Sequence, residues 1–155
     1  MTGKTKNNEE KVVEFLSFCV GQQEYTVDIM SVREIRGWTV ATPLPHSPPY
    51  VRGVINLRGT VLPIVDLALR LGLDPVEATE RNVIIVVQCR EETVGLLVDA
   101  VSDILALSTD DLQSPPEMAA DAHQSFVSAL TVVEGRMIRL LDLDSTLRNA
   151  NERAA

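Results

Sequence analysis

The second half of this 155-residue chain repeats the first, and that repeat constrains the fold more than any single motif. Shifted by 69 positions, Leu16 falls on Ile85, Phe18 on Val87, Val20 on Cys89, Tyr25 on Val94 and Val27 on Leu96. Val32-Arg33-Glu34-Ile35 falls on Val101-Ser102-Asp103-Ile104. Beyond the connecting loop the shift becomes 76: Gly59 meets Gly135, Leu62 meets Ile138, and Asp66-Leu67 meets Asp142-Leu143. A change of length in a loop is the kind a fold tolerates. Chance alternation in two strand-rich halves would also match residue classes, but the shared Gly…Asp-Leu spacing favours duplication. One such unit is too small to bury much core alone, so the two should pack together.

Each unit reads as a hairpin, a bent segment, a connecting loop, a second hairpin and a short capped helix. Leu16, Phe18 and Val20 alternate with polar neighbours, as do Tyr25, Val27 and Ile29 after the turn at Gly21, which is the period of a half-buried strand pair. The spacing of Ile29, Val32 and Ile35 suits one helical turn or a bent strand. Trp38 to Thr42 is β-prone, and Pro43, Pro45, Pro48 and Pro49 then impose an extended loop. Val51–Asn56 and Val61–Val65 flank a tight turn at Asn56-Leu57-Arg58-Gly59, and Pro63 predicts an edge strand or a bulge. Asp66 and Asp142 are good N-caps. The second unit continues as Asn82–Gln88, Thr93–Asp99, Val101–Leu107, a capped turn at Thr109–Leu112, a loop from Pro115 to Ser125, and a hairpin of Phe126–Val133 and Met137–Leu141.

The expected fold class is all-β with short helices: small, strongly curved barrels that leave few open edges. The expected division is a disordered tail at 1–11, one domain at 12–147, and a frayed end at 151–155. Within the domain the first barrel would run roughly over 12–72, the second over 80–141, and a terminal helix over 142–150.

Composition narrows the function. Fourteen Lys plus Arg against 22 Asp plus Glu give a net charge of −8, so there is no global attraction for nucleic acid or anionic lipid. Aromatics are 4% of the residues, too few for a base-stacking platform. Cys19 and Cys89 read as two reduced core thiols, and His46 and His123 stand apart in loops, so a metal site is not expected. The polar N-terminus has no signal-peptide core, and the longest aliphatic run, Val83 to Val87, is far short of a membrane span. The chain is therefore expected to be soluble and cytoplasmic. Phosphate-loop, dinucleotide-binding and nucleophile-elbow motifs are absent. Asp28, Asp66, Asp99 and Asp142 could pair as catalytic carboxylates, but capping explains two of them more simply.

Arg33, Arg36, Arg52 and Arg58 form a local basic set in an acidic chain. Glu34 reads as part of a solvated face, and Arg58 as a turn residue. A guanidinium on a rigid hairpin also suits bidentate pairing with a partner carboxylate. Curved sheets, a few placed arginines and no nucleophile read as an adaptor.

Val-Arg-Glu-Ile-Arg-Gly (32–37), the run Pro-Pro-Tyr-Val-Arg-Gly-Val-Ile-Asn-Leu-Arg-Gly-Thr-Val-Leu-Pro-Ile-Val-Asp-Leu (48–67) and Val-Gly-Leu-Leu-Val-Asp-Ala-Val-Ser-Asp-Ile-Leu (94–105) resemble CheW, the coupling-protein family of bacterial chemotaxis. The resemblance runs from about Val12 to Leu147. The same module occurs in the kinase CheA and in CheV, but this chain has no room for kinase or receiver parts. The resemblance implies two intertwined five-stranded SH3-like β-barrels with no catalytic residues, cofactor or metal. It implies an adaptor between the regulatory domain of the histidine kinase CheA and the cytoplasmic tip of methyl-accepting chemoreceptors, recruited to membrane-associated arrays without inserting in the membrane. Rings of the chain with itself or with the kinase are compatible with it. Receptor contact would fall on the groove between the barrels, at Val32, Glu34, Gly53, Asn56, Leu57, Arg58 and Gly59. Kinase contact would involve Gly95, although a strand glycine also serves close packing. Where many members of the family carry glycines before the last hairpin, this chain reads Ser125-Phe126-Val127-Ser128-Ala129. The alternative from another class is a small-ligand binder or enzyme using the inter-barrel groove.

Overall fold

The computed structural model describes residues 11–75, 79–116 and 126–147. Ten strands lie among them: β1 Val12–Val20, β2 Gln23–Asp28, β3 Val32–Gly37, β4 Val51–Leu57, β5 Thr60–Asp66, β6 Val83–Cys89, β7 Glu92–Val98, β8 Ala100–Ser108, β9 Val127–Val133 and β10 Arg136–Leu141. A short helix, α1 (Leu67–Arg70), follows β5, and residues 143–147 are helical after β10. The bent segment after β2 resolves into both options at once: a 3-10 turn at Ile29–Ser31, capped by Asp28, and then strand β3.

The strands form two five-stranded sheets, ordered β8-β1-β2-β10-β9 and β3-β6-β7-β5-β4. Each sheet takes strands from both halves of the chain. The expected split into barrels at 12–72 and 80–141 is therefore corrected: β1 and β2 join β8, β9 and β10, while β3, β4 and β5 join β6 and β7. Hairpins β1–β2 and β6–β7 are exchanged between the units, which is how two small units come to share a core. Of the expected tails only Lys11 is described, its carbonyl accepting the Thr109 N–H at 3.1 Å; the rest, most of the loop 115–125 and the end of the terminal helix lie outside the described residues.

The duplication holds at single-residue register. β2 runs parallel to β10 with Thr26 opposite Leu140, and β7 runs parallel to β5 with Gly95 opposite Ile64, which are the corresponding positions. Each register shift also recurs, at Arg33 and Ser102 against β6 and β1, and at Arg52 and Ser128 against β5 and β10. Two isolated bridges, Thr42–Val54 and Gln113–Leu130, carry the chain leaving one edge strand onto the opposite edge strand of the same sheet. They curl each sheet towards closure and cover its edges.

Two sequence expectations change here. Trp38 to Thr42 is no strand; only Thr42 pairs, because the prolines that follow cannot sustain a ladder. Pro63 is on an interior strand, opposite Val54. Val54 directs its N–H and C=O to Thr42, at 2.9 and 2.8 Å, so it asks nothing of the N–H that proline lacks. The parallel pairing with β7 begins only at Ile64.

One apolar core serves both sheets. Leu16, Phe18, Val20 and Val27 of the first hairpin pack with Leu62, Ile64, Ile84, Ile85, Leu96 and Leu97. Four successive residues of β6, Ile84 to Val87, are buried, as expected of a strand covered on both faces. Cys19 and Cys89 are free thiols, but both are half-buried rather than fully in the core. Burial pushes the Cys89 thiol above its ordinary value.

Candidate functional site

The four arginines of the basic set part company in the fold. Arg52 turns inward: its Nε and Nη2 donate to Oδ2 of the fully buried Asp66, at 3.1 and 2.8 Å. Asp66 also caps α1, its Oδ1 accepting from Leu69 N at 3.2 Å. Arg33, the bulge residue, donates Nε to Gln88 at 2.8 Å. Arg36 and Arg58 converge on Glu34. Glu34 and Arg36 are two apart on β3, so their side chains share a face, and Arg36 Nη1 donates to Oε2 at 3.2 Å. Arg58 Nη2 reaches Oε1 from the tip of the β4–β5 hairpin. Arg58 takes a positive φ of 50° in the two-residue turn, and Asn56 Oδ1 accepts the Gly59 N–H at 2.8 Å to fix that turn. The hydrogen bond from Arg58 first, and the Arg36 guanidinium after it, hold the Glu34 carboxyl below its ordinary 4.5.

The expected receptor residues thus divide by depth. Asn56, Arg58 and Gly59 are exposed, Val32 and Glu34 are half-buried, and Gly53 and Leu57 are buried. Gly53 has φ +144°, and a Cβ there would sit 2.3 Å from Thr42 O, so it is the place where the Thr42 bridge crosses β4. Gly95 is buried on β7, where a Cβ would lie 2.7 Å from Ile64 Cδ1 and 2.8 Å from Ile84 Cγ2. Both glycines shape the sheet from behind and present no side chain to a partner.

Sequence reasoning did not single out Arg36 as the second partner of Glu34, although the alternation of β3 carries that signal. Nor did it find the apolar flank. Ile35 follows Glu34 and is 47% exposed, Val61 lies opposite Asn56 and is 68% exposed, and Val40 precedes the Thr42 bridge and is 79% exposed. Ile35 alternates with Glu34 and Arg36 and so lies on the other face of β3, while on the hairpin that carries Arg58 the exposed aliphatic side chain is Val61, paired with Asn56. Among the described residues no group of three or more His, Cys, Asp or Glu could hold a metal ion, and no helix is long and apolar enough to cross a membrane.

Comparison with known families assigns the whole of this surface to one module: residues 14–151 match the CheW-like domain. The chain belongs to the CheW-like family. It is 54% identical to a chemotaxis protein CheW of Rhizobium meliloti over 155 residues, the full length of both chains. It is 37% identical to a chemotaxis protein CheW of Klebsiella aerogenes over 134 residues, 86% of this chain and 81% of that one. Among solved structures it is similar to the scaffolding protein TtCheW of Thermoanaerobacter tengcongensis, with a TM-score of 0.78, 27% identity and 84% of each chain covered. The CheW-like assignment and the TtCheW likeness agree with the two-sheet topology described above.

Proposed function

We propose that this CheW-like chain is a non-enzymatic adaptor that couples the cytoplasmic tips of methyl-accepting chemoreceptors to the regulatory domain of the histidine kinase CheA. The observation that carries the reading is the pairing of Arg58 with Glu34 on a hairpin that exposes Val61, in a chain whose full-length relatives are chemotaxis CheW proteins. A charged hairpin tip beside an exposed aliphatic side chain suits an amphipathic helical hairpin laid against it. Arg58, Glu34 and Asn56 form the polar part of that receptor surface. Gly53, Leu57, Gly59 and Val32 hold its shape. Kinase contact uses other barrel surfaces, which Gly95 supports by allowing β7 to pack closely. The protein works in the cytoplasm and joins membrane-associated arrays through its partners.

The test is co-purification with a receptor-tip fragment and with the CheA regulatory domain, each alone and together. The reading expects a ternary complex, and it expects Arg58→Ala to fold normally, lose the receptor and keep the kinase. Unchanged receptor binding by Arg58→Ala would remove Arg58 from the contact. Binding to neither partner would overturn the adaptor reading.

A further inference from the structure

The Glu34 cluster holds two guanidiniums and one carboxylate, in a chain whose net charge is −8. It is one carboxylate short. Arg58 reaches Glu34 through Nη2, and its side chain is 70% exposed, so much of the fork faces solvent. Arg36 reaches Glu34 through Nη1, while its Nε is covered and has no hydrogen-bond acceptor among the described residues. A covered, unpaired guanidinium donor is unfavourable, and bidentate carboxylate pairing is what arginine's planar fork fits best.

The duplicated position supplies an internal comparison. The counterparts of Glu34, Arg36 and Arg58 in the other sheet are Asp103, Leu105 and Glu134. Asp103 and Glu134 are both exposed. The backbone geometry is preserved, with φ 50° at both Arg58 and Glu134, but the charge is inverted. A carboxylate approaching that second turn meets like charge, whereas at the first it meets the surplus guanidinium.

We propose that the cluster receives its second carboxylate from the partner, as an acidic side chain on the apolar segment that docks beside Val61 on the Arg58 hairpin. This rests on the receptor-tip reading above and names the chemistry by which that site recognises its partner. Glu34 is then a positioning residue: it aims Arg58, and Arg36 retains Glu34 when the partner carboxylate arrives. The duplicate keeps the carboxylate at Asp103 but has Leu105 and Glu134 in place of the two arginines, which keeps the same segment from docking there.

A charge-reversal cycle tests this. Wild-type protein and Arg58→Glu are titrated by calorimetry with a receptor-tip fragment, and then with fragments in which each acidic residue is changed singly to Lys. One such fragment is expected to bind wild type at least about tenfold more weakly and to restore most of the binding lost by Arg58→Glu. The pair that rescues identifies the carboxylate. If the fragment binds wild type but no reversal rescues Arg58→Glu, the carboxylate proposal is overturned and the receptor reading stands. If the fragment does not bind wild type at all, both fall together.

Discussion

Arg70 and Thr146 hold the same place in the two units, and they touch: Arg70 Nε donates to the Thr146 carbonyl at 2.7 Å. The guanidinium lies between two rings that are themselves counterparts, 4.7 Å from the Tyr50 centroid and 4.5 Å from that of Phe126. Tyr50 and Phe126 accept equivalent backbone bonds, from Asp66 N at 2.7 Å and Asp142 N at 2.8 Å. Corresponding residues can meet only near the axis that relates the units, so Arg70 marks where the duplicated halves are joined. The contact is asymmetric because the position holds a cation in one copy and a hydroxyl in the other.

Arg70→Ala is therefore expected to loosen the junction. It removes one charge-assisted hydrogen bond and two cation–π contacts, together about 2–4 kcal/mol. Arg70→Lys keeps the charge but loses the planar stack, so it should recover only part of the loss. Urea denaturation reads both effects. An Arg70→Ala midpoint equal to wild type would mean that the two rings alone secure the junction.

Gly53→Ala and Gly95→Ala separate backbone from side-chain crowding. At Gly53 the new methyl would meet the Thr42 carbonyl at 2.3 Å in a left-handed conformation, and backbone cannot step aside, so a loss of about 3 kcal/mol or more is expected. At Gly95 the obstructions are Ile64 Cδ1 and Ile84 Cγ2, the ends of side chains, and overpacking of about 1–3 kcal/mol is expected. Ile64→Val removes the nearer methyl, so the double variant Gly95→Ala/Ile64→Val should be less destabilised than additivity requires. Additive denaturation free energies would refute that coupling. Reduced partner binding in either glycine variant is expected to follow from altered sheet packing.

Much of this architecture was legible because strands advertise themselves. Alternation located the hairpins of both units, and the Gly…Asp-Leu spacing aligned the second hairpins to the residue. Strand exchange was legible only through the CheW resemblance, since alternation states which face is buried and not which sheet buries it. Within the site, Arg58 and Glu34 were both singled out, yet their pairing brings together β3 and the β4–β5 turn from opposite edges of one sheet, which local pattern does not state. Arg52 looked like part of the basic surface because nothing local reveals that Asp66 is fully buried behind it.

The Glu34 carboxyl carries a pH signature. Its value is depressed in the folded protein, so the stabilisation from its two arginines is present in full above the ordinary carboxylate value. That stabilisation is lost as pH falls through the lower, folded value. Arg58→Ala removes the largest cause of the depression. Carboxyl-carbon NMR titration should therefore find the Glu34 midpoint below 4.5 in wild type and raised towards it in the variant. Equal midpoints would mean that the ion pair does not persist in solution.

Val32 and Val61 distinguish the shape of the proposed receptor surface from its contact. Val32 is half-buried and packs against the main core, so Val32→Asp places a carboxylate against apolar side chains and should destabilise by a few kcal/mol, about 2–4. Lost receptor binding in that variant would report damage to the fold as well as to the interface. Val61 is 68% exposed and absent from the core, so Val61→Ser should leave stability within about 0.5 kcal/mol. If the receptor's apolar face covers Val61, the same change removes about 1 kcal/mol of burial and weakens receptor binding about fivefold. Kinase binding should be untouched. Fluorescence anisotropy with a labelled tip fragment, paired with a melting curve for each variant, separates the two cases. A Val61→Ser protein that melts like wild type and binds the fragment equally well would place the docked segment away from this flank of the hairpin.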